Sequence, residues 1–360
     1  MSTDQKMSFF PLEDLPNEIL LKILSLLDIK GVLQCGQSSK RLREISNDKL
    51  LWLKLNLNER KVPYGFIKKA AENGCEYLNL HKGCVHGGGE KSEVPWRMKY
   101  LALFYTDNCT KVLQNCCSLE KLAVDGLKLT PWYIEQICRN SETLRILSLG
   151  PVTMGLRNPK ELVEKLFSSM SKCHQLTEVN FYSGPYDPLD FRTLVENLTP
   201  NILKLNLPCH NVKDEHISTL VQRCKKIKEL NLENTSITND SVKSIVESLN
   251  SLEKLDVSCT KIKFTALLQL KSVPTLKILR CFPHYVYQNQ TYKDKLKQLV
   301  LQLPDISINK PEDSFQIASP KKRVNGSIDH DWFWEIRAKD QDLFPFPEDF
   351  SWRYCTKYDK

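Results

Sequence analysis

The residues with the strongest claim to chemistry lie in the first third of the chain. Cys75, His81, Cys84 and His86 offer four possible zinc donors in one short stretch. A zinc site normally presents paired ligands such as Cys-x-x-Cys, and no such pair occurs in the sequence. Cys75 is also claimed by a repeat described below, so no metal is expected. Gly89-Glu90-Lys91-Ser92 has the composition of a phosphate loop, but Glu90 parts the glycine from the lysine. Pro95 then stands where a helix should begin, so the backbone N–H cradle would not form. There is no Gly-x-Ser-x-Gly and no His-Glu-x-x-His. Thirteen cysteines supply nucleophiles in number, but none sits beside a recognisable base. The chain is therefore expected to bind rather than to catalyse, without a cofactor. Ser319-Pro320-Lys321-Lys322 fits a proline-directed kinase site, which makes Ser319 a candidate phosphosite. Lys321-Lys322-Arg323 is a minimal nuclear-import patch, and nucleus and cytoplasm are the expected locations.

The bulk composition agrees with a binding protein. The 360 residues are 41% hydrophobic and 26% charged, enough for a large core in a globular chain. The net charge of +8, from 51 basic and 43 acidic residues, is not gathered into one basic run. Neither a dense patch nor a reading module for nucleic acid is present, so no nucleic-acid partner is expected. No apolar stretch reaches the ~18 residues needed to span a membrane. The opening MSTDQKMSFFPLED lacks the charged and apolar regions of a signal peptide. The odd, scattered cysteines then read as reduced and mostly buried thiols.

Two kinds of element must position whatever this chain binds. The first is Leu12 to Leu57. Pro16 suits the first turn of a helix, where its missing N–H costs nothing, and Glu18 suits the positive end of the dipole. Ile19, Leu20, Ile23, Leu24 and Leu27 then fall on one helical stripe. Val32, Leu33 and Cys35 suggest a second helix, Leu42 and Ile45 a third, and Leu50, Leu51 and Trp52 close the segment. A unit this small cannot hide so many aliphatic side chains by itself and needs a partner surface.

The second element repeats. Two apolar positions three apart, followed by another two further on, recur about every 25 residues. The pattern opens at Trp52, Cys75, Met98, Leu119, Leu144, Leu176, Ile202, Ile227, Leu252, Leu276 and Leu303. The long gap from Leu144 to Leu176 holds the insertion GPVTMGLRNPKE. Alternation at period two followed by apolar spacing at three to four means a strand, then a helix, buried only against its neighbours. The expected fold class is α/β: a small three-helix unit followed by a curved solenoid, parallel strands on its concave face and helices outside.

The first segment resembles the F-box. Leu15-Pro16, Glu18-Ile19, Ile23, Leu27, Ser39-Lys40 and Leu51-Trp52 match its pattern, whereas Leu42 and Ser38 depart from it. The solenoid resembles the leucine-rich repeat, and Cys116-Leu119, Cys173-Leu176 and Cys224-Ile227 resemble its cysteine-containing subfamily. The usual Asn or Cys after each strand is replaced, by our alignment, with Leu127, His210, Thr235 and Thr260. Together the two, with LPDISIN (Leu303 to Asn309), FQIASP and WFWEIRAK, resemble the S-phase-kinase-associated receptor family of SCF ubiquitin ligases.

The expected organisation is a tail at 1–11, an F-box at 12–57, about ten repeats over 52–308 and an aromatic tail at 309–360. The resemblance implies that Leu15, Pro16, Ile19, Leu20, Ile23, Leu24, Leu27 and Trp52 bind the S-phase-kinase-associated adaptor, which bridges to cullin and RING subunits. A protein substrate, with or without phosphate, would lie on the concave face. Its expected contacts are Tyr182, Lys204, Asn206, Asn231, Glu233, Lys254, Asp256 and Arg280, from the outward strand positions. Two other readings stay open: a scaffold or inhibitor whose first helices only cap the solenoid, and an enzyme using one of the irregular loops.

Overall fold

The computed structural model describes residues 12–80, 83–87, 94–104, 109–125, 130–150, 159–181, 190–282 and 290–309. Tyr182, Leu127, His81, Ser319, the aromatic tail from residue 310, most of the insertion and Gly88-Gly89 lie outside these. The described residues form two compact units. One runs through Phe181 and includes Asn197–Asn201; the other comprises Asp190–Glu196 and the residues from Ile202 on.

The first unit opens with helices α1 (Asn17–Leu24), α2 (Ile29–Ser38), α3 (Lys40–Ser46) and α4 (Lys49–Trp52). Their boundaries follow from polar caps: Asp28, Ser39 and Asp48 each accept a backbone N–H of the helix they precede. The expected three helices are thus four, because Asp48 starts a separate turn that carries Leu50 to Trp52. Leu20 and Leu24 of α1 pack with Leu42 and Ile45 of α3 as a small core.

The same unit continues with β1 (Lys54–Asn56), β2 (Lys61–Pro63), α5 (Tyr64–Glu72), β3 (Tyr77–Asn79), β4 (Cys84–His86), β5 (Tyr100–Phe104) and α6 (Thr110–Leu113). It ends with β6 (Lys121–Asp125), α7 (Pro131–Arg139), β7 (Ile146–Leu149), α8 (Pro159–Ser169) and β8 (Glu178–Phe181). Strands β1, β3, β5, β6, β7 and β8 pair in parallel and in that order. Strands β2 and β4 form a separate parallel pair. Val62, buried between exposed Lys61 and Pro63, and Val85, buried between half-buried Cys84 and exposed His86, account for it.

The second unit contains α9 (Arg192–Asn197) up to Glu196, β9 (Lys204–Asn206), α10 (Asp214–Arg223), β10 (Glu229–Asn231) and α11 (Asn239–Ser248). It closes with β11 (Lys254–Asp256), α12 (Phe264–Leu267), β12 (Ile278–Arg280), α13 (Gln290–Gln302) and β13 (Ser307–Ile308). Strands β9 to β13 pair in parallel in chain order. In both units the anchor leucines point inward: Leu55, Leu78, Leu101, Leu122, Leu147, Leu205, Leu230, Leu255 and Leu279 are all buried. The residues on either side of each leucine emerge on the opposite face of the strand.

Turn chemistry replaces the missing consensus Asn. Thr235 and Thr260 each donate a hydroxyl to a carbonyl three residues back, Leu232 and Val257 respectively, at 2.7 Å. Glu59, Asn234 and Cys259 occupy the left-handed region at φ 57°, 59° and 56°, two residues after the last strand anchor in each case. The chain reverses there toward the helical side. Asp214 ties two consecutive turns together by accepting from the amides and hydroxyls of both Thr238 and Ser241.

Candidate functional site

The helical module carries more apolar surface than its core uses. Leu26 is 83% exposed, Leu50 67%, Ile19 45% and Leu27 43%, in a segment whose core is already closed. Large exposed apolar side chains gathered on one small module mark a protein-binding surface. Arg41 holds the entry to α1 by donating to the Leu15 carbonyl at 2.7 Å and to Asn17 Oδ1 at 2.8 Å.

Three of the expected adaptor contacts are corrected by burial. Leu20, Leu24 and Trp52 have no surface to offer, because Leu20 and Leu24 face α3 and Trp52 faces the first repeat. The Trp52 indole N–H donates to the Ser46 carbonyl at 2.7 Å, its ring lies 5.7 Å from that of Phe66, and the Lys69 ammonium sits 5.6 Å from its centroid. Ile19 and Leu27 remain on the surface, Pro16 is exposed, and Leu15 and Ile23 are half-buried. Leu26 and Leu50, absent from the expected set, expose more than Ile19 or Leu27.

The helical module and the first repeats are braced by charge as well as by Trp52. Glu76 meets the Lys99 ammonium at 3.0 Å and the Lys49 ammonium at 3.5 Å, while Arg60 reaches Asp28 at 3.4 Å. The lysines hold the Glu76 carboxyl below its ordinary range against the opposing cost of burial.

On the strand face of the second unit the expected residues are brought together. Register places Glu229 between Lys204 and Lys254, and its carboxylate lies 3.8 Å and 3.2 Å from their ammonium groups. The next outward row is Asn206, Asn231, Asp256 and Arg280. Two of these are corrected: Asp256 is 1% exposed and Arg280 2%, so neither is an open contact. The row has a backbone duty that the sequence reading missed. Asn231 Oδ1 accepts from the Glu233 amide at 2.8 Å, and Asp256 Oδ1 from the Ser258 amide at 2.9 Å, closing the turn after each strand. Asn206 has no equivalent donor, since Pro208 lacks an N–H, and its Oδ1 is buried without a partner.

Two carboxyls here, Glu233 and Asp256, titrate unusually. Burial pushes the Glu233 carboxyl up to about 8, with the Asp256 charge adding to the rise and Arg280 opposing it. Asp256 is raised by burial too, against hydrogen bonds from Ser258 and the charge of Arg280. Two carboxyls with one guanidinium favour holding a proton near neutral pH.

A second charged row occurs in the first unit and had escaped notice. Lys54, Tyr77, Tyr100 and Lys121 stand in register on β1, β3, β5 and β6, at the same repeat position as Lys204, Glu229 and Lys254. Reading that column through the early repeats would have found them.

Five of the described cysteines are poor nucleophiles. Burial pushes the thiols of Cys75, Cys173, Cys259 and Cys281 up to about 12 and that of Cys224 to about 11, so all stay protonated at neutral pH. Among the described residues no group of three His, Cys, Asp or Glu side chains could hold a metal ion. No described helix is long and apolar enough to cross a membrane.

A helical module with surplus apolar surface, followed by parallel leucine-anchored strands alternating with helices, defines an F-box/leucine-rich-repeat protein. Residues 12–58 match the F-box-like family. Residues 65–341 match the SKP2 LRR domain family, and the chain belongs to it. Two solved structures also match, at low identity and low TM-score. An internalin (inlF) from Listeria monocytogenes is 12% identical with a TM-score of 0.40, over 82% of this chain and 98% of that one. The plant peptide hormone receptor RGFR1, solved in complex with RGF2, is 15% identical with a TM-score of 0.37, over 62% of this chain and 38% of the receptor.

Proposed function

We propose that this chain is the substrate-recognition subunit of an SCF-type ubiquitin ligase. The observation that carries the reading is the uncovered set Ile19, Leu26, Leu27 and Leu50, which a solenoid cap has no reason to expose. In this reading those side chains bind the S-phase-kinase-associated adaptor, which bridges to cullin and RING subunits. The strand faces of the repeats hold a protein substrate. The chain performs no chemistry; it raises the effective concentration of a substrate lysine near the charged conjugating enzyme. The braces at Trp52 and Glu76 limit movement between module and first repeats, which favours a fixed substrate distance. Degradation of a cell-cycle substrate, and residence in nucleus and cytoplasm, follow from the same reading.

Co-expression with the adaptor tests it. The wild-type chain should co-purify with the adaptor in equal amounts, and Ile19→Asp/Leu27→Asp should abolish this while the chain stays folded. A wild-type chain that leaves the adaptor behind would return the module to the role of a solenoid cap.

A further inference from the structure

The row Lys54, Tyr77, Tyr100 and Lys121 has a layered geometry. The two rings stack with centroids 4.2 Å apart and planes 19° from parallel. The Lys54 ammonium lies 5.1 Å from the Tyr77 centroid, and the Lys121 ammonium 4.7 Å from that of Tyr100. The order is therefore cation, ring, ring, cation across four neighbouring strands. The negative ring faces attract the ammonium groups and limit the freedom of two long side chains. Tyr100 is nearly covered, whereas Lys54, Tyr77 and Lys121 are half-buried. Strand spacing of ~4.8 Å puts the two lysines about 14 Å apart.

We propose that this row is a subsite for an acidic protein segment in extended conformation, with carboxylates four residues apart. The proposal rests on the reading that the strand face receives the substrate, and it names the class of sequence received. An extended chain rises ~3.4 Å per residue and turns residues i and i+4 to one side, so two such carboxylates span about the same 14 Å. An ammonium resting on a ring keeps N–H donors for an incoming carboxylate. The second unit differs, since the same column there carries a carboxylate, Glu229, between Lys204 and Lys254, and that carboxylate repels an acidic segment. A nucleic acid is the poorer occupant, because evenly spaced phosphates call for a denser basic patch than two lysines.

The test measures binding of a fluorescein-labelled Gly/Ser peptide carrying glutamate pairs four residues apart, at low ionic strength, to the full chain. An isomer with the same glutamates in one block is the control. The spaced peptide should bind at least threefold tighter than the block. Lys54→Glu/Lys121→Glu should weaken it about tenfold, the neutral Lys54→Gln/Lys121→Gln severalfold, and Lys254→Glu less than twofold. Equal binding of the two peptides, an unchanged affinity in both double variants, or displacement of the peptide by a ten-nucleotide thymidine strand at equal concentration would overturn the proposal. Adaptor co-purification is scored separately on the same proteins. Its failure in the wild type defeats the ligase reading, whereas a peptide that ignores Lys54 and Lys121 defeats only the subsite.

Discussion

Replacing Leu26 and Leu50 together by serine separates the module's binding surface from its core. Fully burying a leucine is worth about 1.5–3 kcal/mol. With 83% and 67% of their surfaces exposed, the two side chains would contribute about 2–4.5 kcal/mol if a partner covered them. That corresponds to a loss of roughly two to three orders of magnitude in affinity for the adaptor. Stability should hardly move, since exposed substitutions usually stay within ~0.5 kcal/mol. Leu24→Ala is the contrasting control: its side chain fills the α1–α3 core, and the cavity should cost about 2–5 kcal/mol. Titration calorimetry against purified adaptor, alongside thermal melts, reads both effects. Leu26→Ser/Leu50→Ser should bind weakly and melt normally, whereas Leu24→Ala should melt early and bind normally while folded. A Kd within threefold of wild type for the serine pair would refute the assignment of this face.

The raised Glu233 carboxyl makes a prediction with a definite sign. Between its ordinary value of 4.5 and about 8 the folded chain holds a proton that the unfolded chain has lost, so stability falls as pH rises through that window. Glu233→Gln should remove this component, and the difference in urea midpoint from wild type should grow from pH 5 to pH 8; a constant difference would show that Glu233 titrates normally. Asp214→Ala strips the shared acceptor from Thr238 and Ser241 and should cost about 2–3 kcal/mol in urea unfolding. A cost under ~0.5 kcal/mol would mean that water replaces it. Trp52→Phe keeps an aromatic ring but leaves the Ser46 carbonyl without its indole donor, and should cost about 1–3 kcal/mol in the same assay.

Much of the fold was legible because the repeat states its own burial pattern. Each of the eleven positions read as the start of a strand motif precedes an observed parallel strand by two to four residues, from Trp52 before β1 to Leu303 before β13. An apolar residue between two polar ones on a strand is a local statement about which face is inside. The charged surface was read in part. Lys204, Glu229 and Lys254 do meet on the strand face, yet the same column in the early repeats passed unread because tyrosine looks like core material in a sequence. Asp256 and Arg280 were read as open contacts, because nothing local shows that they are buried.

What the sequence by itself determined was order and period: a helical module, a strand every twenty-five residues or so, and side chains alternating between two faces. These depend on residues near one another in the chain. The tertiary structure decided how the surplus was divided. The α1 stripe of Ile19, Leu20, Ile23, Leu24 and Leu27 is wider than one contact, and only packing against Leu42 and Ile45 shows that Leu20 and Leu24 go inside. Likewise the Asn/Asp row became part of the turns because backbone amides two residues on point back at it, except at Asn206, where Pro208 has none to offer. Burial is settled by which distant residues arrive on each face, and a local pattern cannot say which of two adjacent apolar faces will be covered.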